Sequence, residues 1–272
     1  MERIDCHTHT YLSNHGRGTV DEVVSSALSK GLTMVALTEH LPLPDEFNPD
    51  GTFAMDADKV DLYLEAIESA RRAHPQIEII SGIEVDWRVG AEDYILERIE
   101  PFELLLGSVH MLTDELGNSW PFDHPDFIEG WYQRGEEQVW QQYLDLWIQA
   151  VSSSASFDIM THPDLPKKLG FKPSFDAREL YHAMAEAAAK HDVMIEVNTS
   201  GLRKTVRELY PAPDLLAAFS AAGVPCAIGS DAHRPEEVGR DLDLGFEAMR
   251  AAGYHVVTVP TRTGDRRTIT LR

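Results

Sequence analysis

The sequence predicts an α/β fold of repeated strand–helix units, arranged as a closed β/α barrel or as a doubly wound open sheet. Apolar strand-like runs alternate with segments of helical periodicity along nearly all of its 272 residues. The runs are continuous rather than alternately polar, as expected of parallel strands covered on both faces. No glycine-rich G-x-G-x-x-G turn follows the first run, so a dinucleotide-binding sheet has no support.

In chain order the strand-like runs are RIDCHTH (3–9), TMVALTEH (33–40), IEIISGIEVD (77–86), FELLLGSVH (102–110), FDIMTHPD (157–164), VMIEVNTSG (193–201) and VPCAIGSDAH (224–233). Between them, apolar residues at helical spacing predict helices over 19–31, 56–74, 176–191 and 234–253. Two short strands, 254–259 and 268–272, flank a TGDRR turn and either complete a barrel or form a hairpin on it. The longest irregular segments, 41–55 and 111–130, both follow strands, where the loops of a β/α barrel build the active face. With no linker, repeat or low-complexity tract, one domain over 1–272 is the simplest division.

Composition removes several classes of function. A formal charge of -21 argues against nucleic acid and anionic membranes as partners, both of which require basic surface. An anionic small molecule remains compatible if metal ions or a local basic pocket reverse the sign. No run approaches the ~18 apolar residues of a membrane span, and no secretory pattern opens the chain, so a cytoplasmic enzyme is expected. Cys6 and Cys226 each lie in a strand-like run and read as small buried core residues. Oligomeric state is not encoded in any of these features.

The chemistry collects where the strands end. The seven runs finish in His7 and His9, His40, Glu84, His110, His162, Asn198, and Asp231 with His233. Six of the twelve histidines sit at these ends, and His15 lies in the loop after the first run. One such histidine is usually structural. At the mouth of one barrel, however, they point into a common space, and imidazoles with carboxylates are donors for Zn, Mn or Fe. His7, His9, His15, His40, His110, His162, His233, Glu84 and Asp231 are too many ligands for one tetrahedral ion and suit two to three divalent metals. Paired metals serve displacement by water, most naturally at phosphorus. The serines of TSG (199–201) and GSVH (107–110) do not form a nucleophile elbow, and no P-loop is present. A glycosidase-like pairing of Glu84 with Asp86 would leave the histidines unexplained.

The ordered set H-x-H, TEH, GIEVD, GSVH, THPD and GSDAH resembles the polymerase and histidinol phosphatase (PHP) family over essentially the whole chain. NHG (14–16), HPDLPKKLG (162–170) and EVNTSGLRK (196–204) are similar to its stand-alone L-histidinol-phosphate phosphatases. The resemblance implies a distorted (β/α)7 TIM-like barrel, with a trinuclear metal site at the C-terminal ends of the strands. It implies hydrolysis of L-histidinol phosphate to L-histidinol and phosphate. His7, His9, Glu84 and Asp231 would hold the first metal, and Glu84, His110 and His162 the second, with Glu84 as the bridge. His15, His40 and His233 would hold the third.

Catalytic roles then fall to Asp231, which would orient the nucleophile and shuttle its proton, to Glu84, and to Arg203, whose guanidinium fork suits phosphate. Lys168 and Arg234 follow ligand-bearing strands and are further candidates for substrate binding. For the cationic alcohol, Asp45, Glu46, Glu115 and Asp123 are candidate partners, though each reads more simply as solvated surface. Aromatic walls from WPFD (120–123) compete in the same way with plain loop packing. Two other readings keep the metal site: a phosphoesterase for a nucleotide or sugar phosphate, and an amidohydrolase-like C–N hydrolase. The second often uses a bridging lysine, and no strand end here carries one.

Overall fold

The computed structural model describes residues 2–113 and 118–271. In chain order the strands are β1 (Ile4–Asp5), β2 (Met34–His40), β3 (Glu78–Asp86), β4 (Leu104–Ser108), β5 (Met111–Thr113), β6 (Ser119–Pro121), β7 (Ile159–Met160), β8 (Met194–Asn198), β9 (Cys226–Gly229), β10 (Val256–Pro260) and β11 (Arg266–Thr270). The helices are α1 (Val20–Ser29), α2 (Val60–Ala73), α3 (Glu92–Leu96), α4 (Glu129–Arg134), α5 (Glu136–Val151), α6 (Arg178–His191), α7 (Pro213–Ala221) and α8 (Leu242–Ala251).

Seven strands form one parallel sheet in the order β1-β2-β3-β4-β7-β8-β9. The sheet then closes on itself. Cys6 N–H donates to Ile228 O at 3.0 Å, Asp231 N–H to His7 O at 2.8 Å and His9 N–H to Ala232 O at 2.8 Å. The open-sheet alternative is therefore excluded, and the architecture is a distorted TIM-like barrel. Its strand interiors are buried on both faces, which is why their apolar runs are unbroken.

Several predicted runs are longer than the strands they produce. The run 3–9 is regular only over Ile4–Asp5, because the following residues bond across the closing seam and to the Thr38 side chain. The helix predicted over 234–253 starts only at Leu242. Gly239, with φ +66°, interrupts it, and a Cβ there would lie 2.9 Å from Leu32 Cδ1. The C-terminal strands form an antiparallel hairpin, β10–β11, outside the seven-stranded sheet. The apparently irregular segment 111–130 contains a second antiparallel strand pair, β5 with β6. Both cysteines are buried and free.

Helix α1 is fixed at its start by a capping box, in which Thr19 and Glu22 satisfy each other's backbone N–H groups. A partly buried ionic cluster joins α2 to the barrel. Arg71 on α2 bonds Ile79 O and pairs with Glu103, which also accepts from Ser81 N–H at 3.0 Å and Arg262 Nε at 3.0 Å. Burial alone would raise the Glu103 pKa, but these donors outweigh it and hold it below the usual range. The carboxylate therefore stabilises the fold fully above its unfolded pKa, and the contribution fades as pH falls toward the lowered native value. Glu103→Gln should lower the melting temperature at pH 7 by roughly a few degrees. Melting curves should show the difference from wild type shrinking below about pH 4.5.

Candidate metal centre

All nine predicted ligands lie at the C-terminal end of the barrel, where seven of them line a cavity of about 610 Å³ and His7 and His9 are buried behind it. Glu84, at the end of β3, is only 1% exposed, and its two oxygens divide the imidazoles. Oε2 lies 3.2 Å from His7 Nε2, 3.3 Å from His9 Nε2 and 3.3 Å from His40 Nδ1. Oε1 lies 3.1 Å from His162 Nε2 and 3.6 Å from His110 Nε2. Asp231 Oδ1 stands 3.6 Å from His9 Nε2 and 3.9 Å from His7 Nε2, while Oδ2 accepts from Ser200 Oγ at 2.9 Å. His15 and His233 face each other through their Nε2 atoms at 3.1 Å.

These contacts fit a metal better than a hydrogen-bond network. His7 Nε2 and His9 Nε2 are 3.0 Å apart, and both face the same carboxylate oxygen. Two nitrogens bound to one tetrahedral zinc at ~2.0–2.1 Å would stand roughly 3.3 Å apart. Three sets of donor atoms lie within 4.8 Å of one another: His7, His9 and Glu84; His40, Glu84 and His110; and His9, His40 and His233. His40, whose ring stacks on His9 at 4.5 Å between centroids, thus lies between the donor groups instead of wholly with His15 and His233. The side chains present can hold divalent ions.

Backbone conformation adds to this. His162 (φ 29°) and Asp231 (φ 50°) are non-glycine residues in the left-handed region, where strain is tolerated mainly at functional sites. Electrostatics point the same way. Burial would lower the pKa of His7, but Glu196, Glu84 and Asp231 outweigh it and hold the ring well above its usual value. For His9 and His110, burial is again outweighed by nearby carboxylates, and the value rises to about 9. Burial keeps His15, His40 and His233 below the ordinary value, leaving their nitrogens neutral. Burial opposes ionisation of Glu84 and Asp231, but the surrounding imidazoles hold both well below the carboxylate range. The cluster attracts positive charge and offers neutral imidazole to receive it.

Three carboxylates behind the rings were not read from the sequence as partners of the histidines, Asp86 being weighed there only as a glycosidase-like partner of Glu84. Glu196 on β8 lies 3.0 Å from His7 Nδ1 and also binds Thr161 Oγ1 and His162 N–H. Asp86 lies 3.4 Å from His110 Nδ1, and Glu39 lies 3.8 Å from His9 Nδ1. Glu196 fixes which nitrogen of His7 faces Glu84, and Asp86 and Glu39 set negative charge behind the other two rings. The available signal was an acid inside an apolar, doubly covered strand, which has to be paired. Gly229 makes room for one such pair: a Cβ there would lie 2.6 Å from His7 Cβ and would collide with Glu196 Oε1.

The candidate substrate contacts are placed less uniformly. Arg203, Lys168 and Arg234 all line the cavity. Arg203 Nη2 donates to Ser230 O at 2.7 Å and its Nε lies 3.6 Å from Glu237, while Lys168 Nζ bonds Asp123 Oδ2 at 2.6 Å. Of the four candidate acids, Asp123 lines the cavity, Asp45 and Glu46 are exposed away from it, and Glu115 lies outside the described residues. Trp120 and Phe122 do not form its walls. They are buried against Trp131, and the lining here comes from Phe53, Pro121 and His124.

A family model described as "PHP domain" matches residues 5–200. The chain is 32% identical over 259 residues to a "Probable histidinol-phosphatase" of Deinococcus radiodurans, covering 93% of this chain and 95% of that protein. It is 28% identical to a histidinol-phosphatase of Bacillus subtilis, over 91% of this chain and 99% of the relative. Among solved structures, the histidinol phosphate phosphatase of Lactococcus lactis, complexed with zinc, L-histidinol and phosphate, superposes with a TM-score of 0.76. That likeness, at 20% identity, covers 96% of this chain and 98% of the other and concerns the fold.

The carboxylate behind His7 gives a direct test. Glu196→Gln should leave the far-ultraviolet circular dichroism unchanged while weakening metal retention against a chelator by about tenfold to a hundredfold.

Proposed function

The chain belongs to the PHP family, and on that premise we propose that it is a metal-dependent phosphomonoesterase that hydrolyses L-histidinol phosphate to L-histidinol and phosphate. The observation that carries this reading is the convergence of five imidazoles on the two oxygens of one buried carboxylate, Glu84. It is supported by end-to-end similarity to curated histidinol-phosphatases. Residues 1–272 would act as a single catalytic barrel in the cytoplasm. Among the described residues, no helix is long and apolar enough to cross a membrane.

Three divalent ions, zinc, manganese or iron, are proposed. His7, His9, Glu84 and Asp231 would hold the first, Glu84, His110 and His162 the second, and His15, His40 and His233 the third. Bound there, such ions supply Lewis acidity to phosphoryl oxygens and make water a stronger acid. The chain's own groups do the rest. Asp231 is ionised at neutral pH, and its Oδ2 is anchored by Ser200 and Asn198. Its Oδ1, turned toward His7, His9 and His233, would orient the attacking water and accept its proton. The water oxygen bonds phosphorus as the ester P–O bond breaks, and the departing alkoxide takes up a proton to leave as L-histidinol. Arg203, Lys168 and Arg234 would give the cavity the positive charge that a phosphate ester requires in so acidic a protein. Asp123, ionised and lining the same cavity, would suit the ammonium or imidazole of the alcohol.

Steady-state kinetics on a panel of phosphomonoesters tests the substrate. The value of kcat/KM for L-histidinol phosphate should exceed that for a sugar phosphate, a nucleoside monophosphate and a simple aryl phosphate by at least about a hundredfold. Equal rates across the panel would instead favour a general phosphoesterase, and release of amine from an amide without phosphatase activity would exclude both.

A further inference from the structure

Four cationic side chains line the cavity: Lys168, Arg203, Lys204 and Arg234. Three have simple accounts. Lys168 is held by Asp123, Arg203 is tied to backbone carbonyls and Glu237, and Arg234 is exposed at the rim. Lys204 differs. It follows the short turn Ser200–Arg203 at the end of β8 and is half-buried, and among the described residues no acceptor or carboxylate pairs with its ammonium. Its charged neighbours are Asp231 and Asp123 on one side of the balance and Lys168 and Arg203 on the other. Burial and these like charges together lower its pKa.

An ammonium partly withdrawn from water with no partner weakens the fold, and such a charge is retained where a ligand supplies the counter-charge. Lysine presents three N–H donors and no acceptor, and a phosphoryl group presents three non-ester oxygens. We propose that Lys204 binds the phosphoryl group of the substrate directly and is its principal protein cation. Arg203 and Lys168, already paired, shape the wall around it. This rests on the phosphatase reading and adds to it a substrate contact that the motif comparison did not assign.

Titration calorimetry with inorganic phosphate on the metal-loaded protein tests the assignment, using wild type, Lys204→Met, Lys204→Arg and, as a charge control, the exposed Lys190→Met. Lys204→Met should weaken phosphate binding by about tenfold or more at unchanged metal content. Lys204→Arg should retain most of the affinity, and Lys190→Met all of it. The Lys204→Met melting temperature should stay level or rise, because an unpaired charge has been removed. Wild-type affinity in Lys204→Met would overturn the proposal, as would a loss of affinity that tracks loss of metal or of thermal stability. Turnover of L-histidinol phosphate by the wild type is read in parallel. Its absence would remove the substrate assignment, while the phosphate affinities judge Lys204 by themselves.

Discussion

The rest of the site depends on one buried carboxylate. Glu84 is 1% exposed, at the end of a strand covered on both faces, and removing an ionised carboxylate from water is costly unless positive charge or strong donors surround it. Five imidazoles from four other strand ends face its oxygens, three on one and two on the other. The raised values of His7, His9 and His110 answer part of that charge, and the nearby Asp231, Glu196, Glu39 and Asp86 add more of the same sign. Divalent cations would resolve the imbalance, and a carboxylate shared by two donor groups is suited to bridge them.

Barrel closure makes this arrangement possible. The seam between β1 and β9 carries ligands on both sides, His7 and His9 on one and Asp231 and His233 on the other. Asp5 clamps that seam by accepting from Ser230 N–H at 2.8 Å, Gly239 N–H at 2.7 Å and the Ser230 hydroxyl. A ligand set drawn from both strands is therefore only as well placed as the seam itself. The positive φ of Asp231, one residue beyond Ser230, fits a chain constrained at this point to aim a side chain inward.

Most of the barrel and all nine candidate ligands were legible in the sequence, for a physical reason. Parallel strands buried on both faces write long apolar runs, and a polar residue closing such a run marks the catalytic end of the barrel. What was not legible depends on contacts between distant segments. The strand predicted over 3–9 shrank to two residues because its later hydrogen bonds cross the seam. Glu196, Glu39 and Asp86 sit inside or beside the very motifs that were read, but their roles appear only when the ring nitrogens they touch are located. Lys204 lies next to Arg203 in sequence, and only the pairing of its neighbours distinguishes the two. Trp120 and Phe122 read more simply as loop core than as cavity wall, and both pack against Trp131 in the core.

The central claim is that Glu84 joins two of three ion sites. Metal content per chain, measured by inductively coupled plasma mass spectrometry after exhaustive dialysis, tests it most directly. The account predicts about three ions in wild type, about two in His233→Ala, which removes a donor of the outer site, and one or none in Glu84→Ala, which removes the bridge. Glu84→Ala retaining the wild-type complement, or His233→Ala emptying the centre while Glu84→Ala does not, would contradict it.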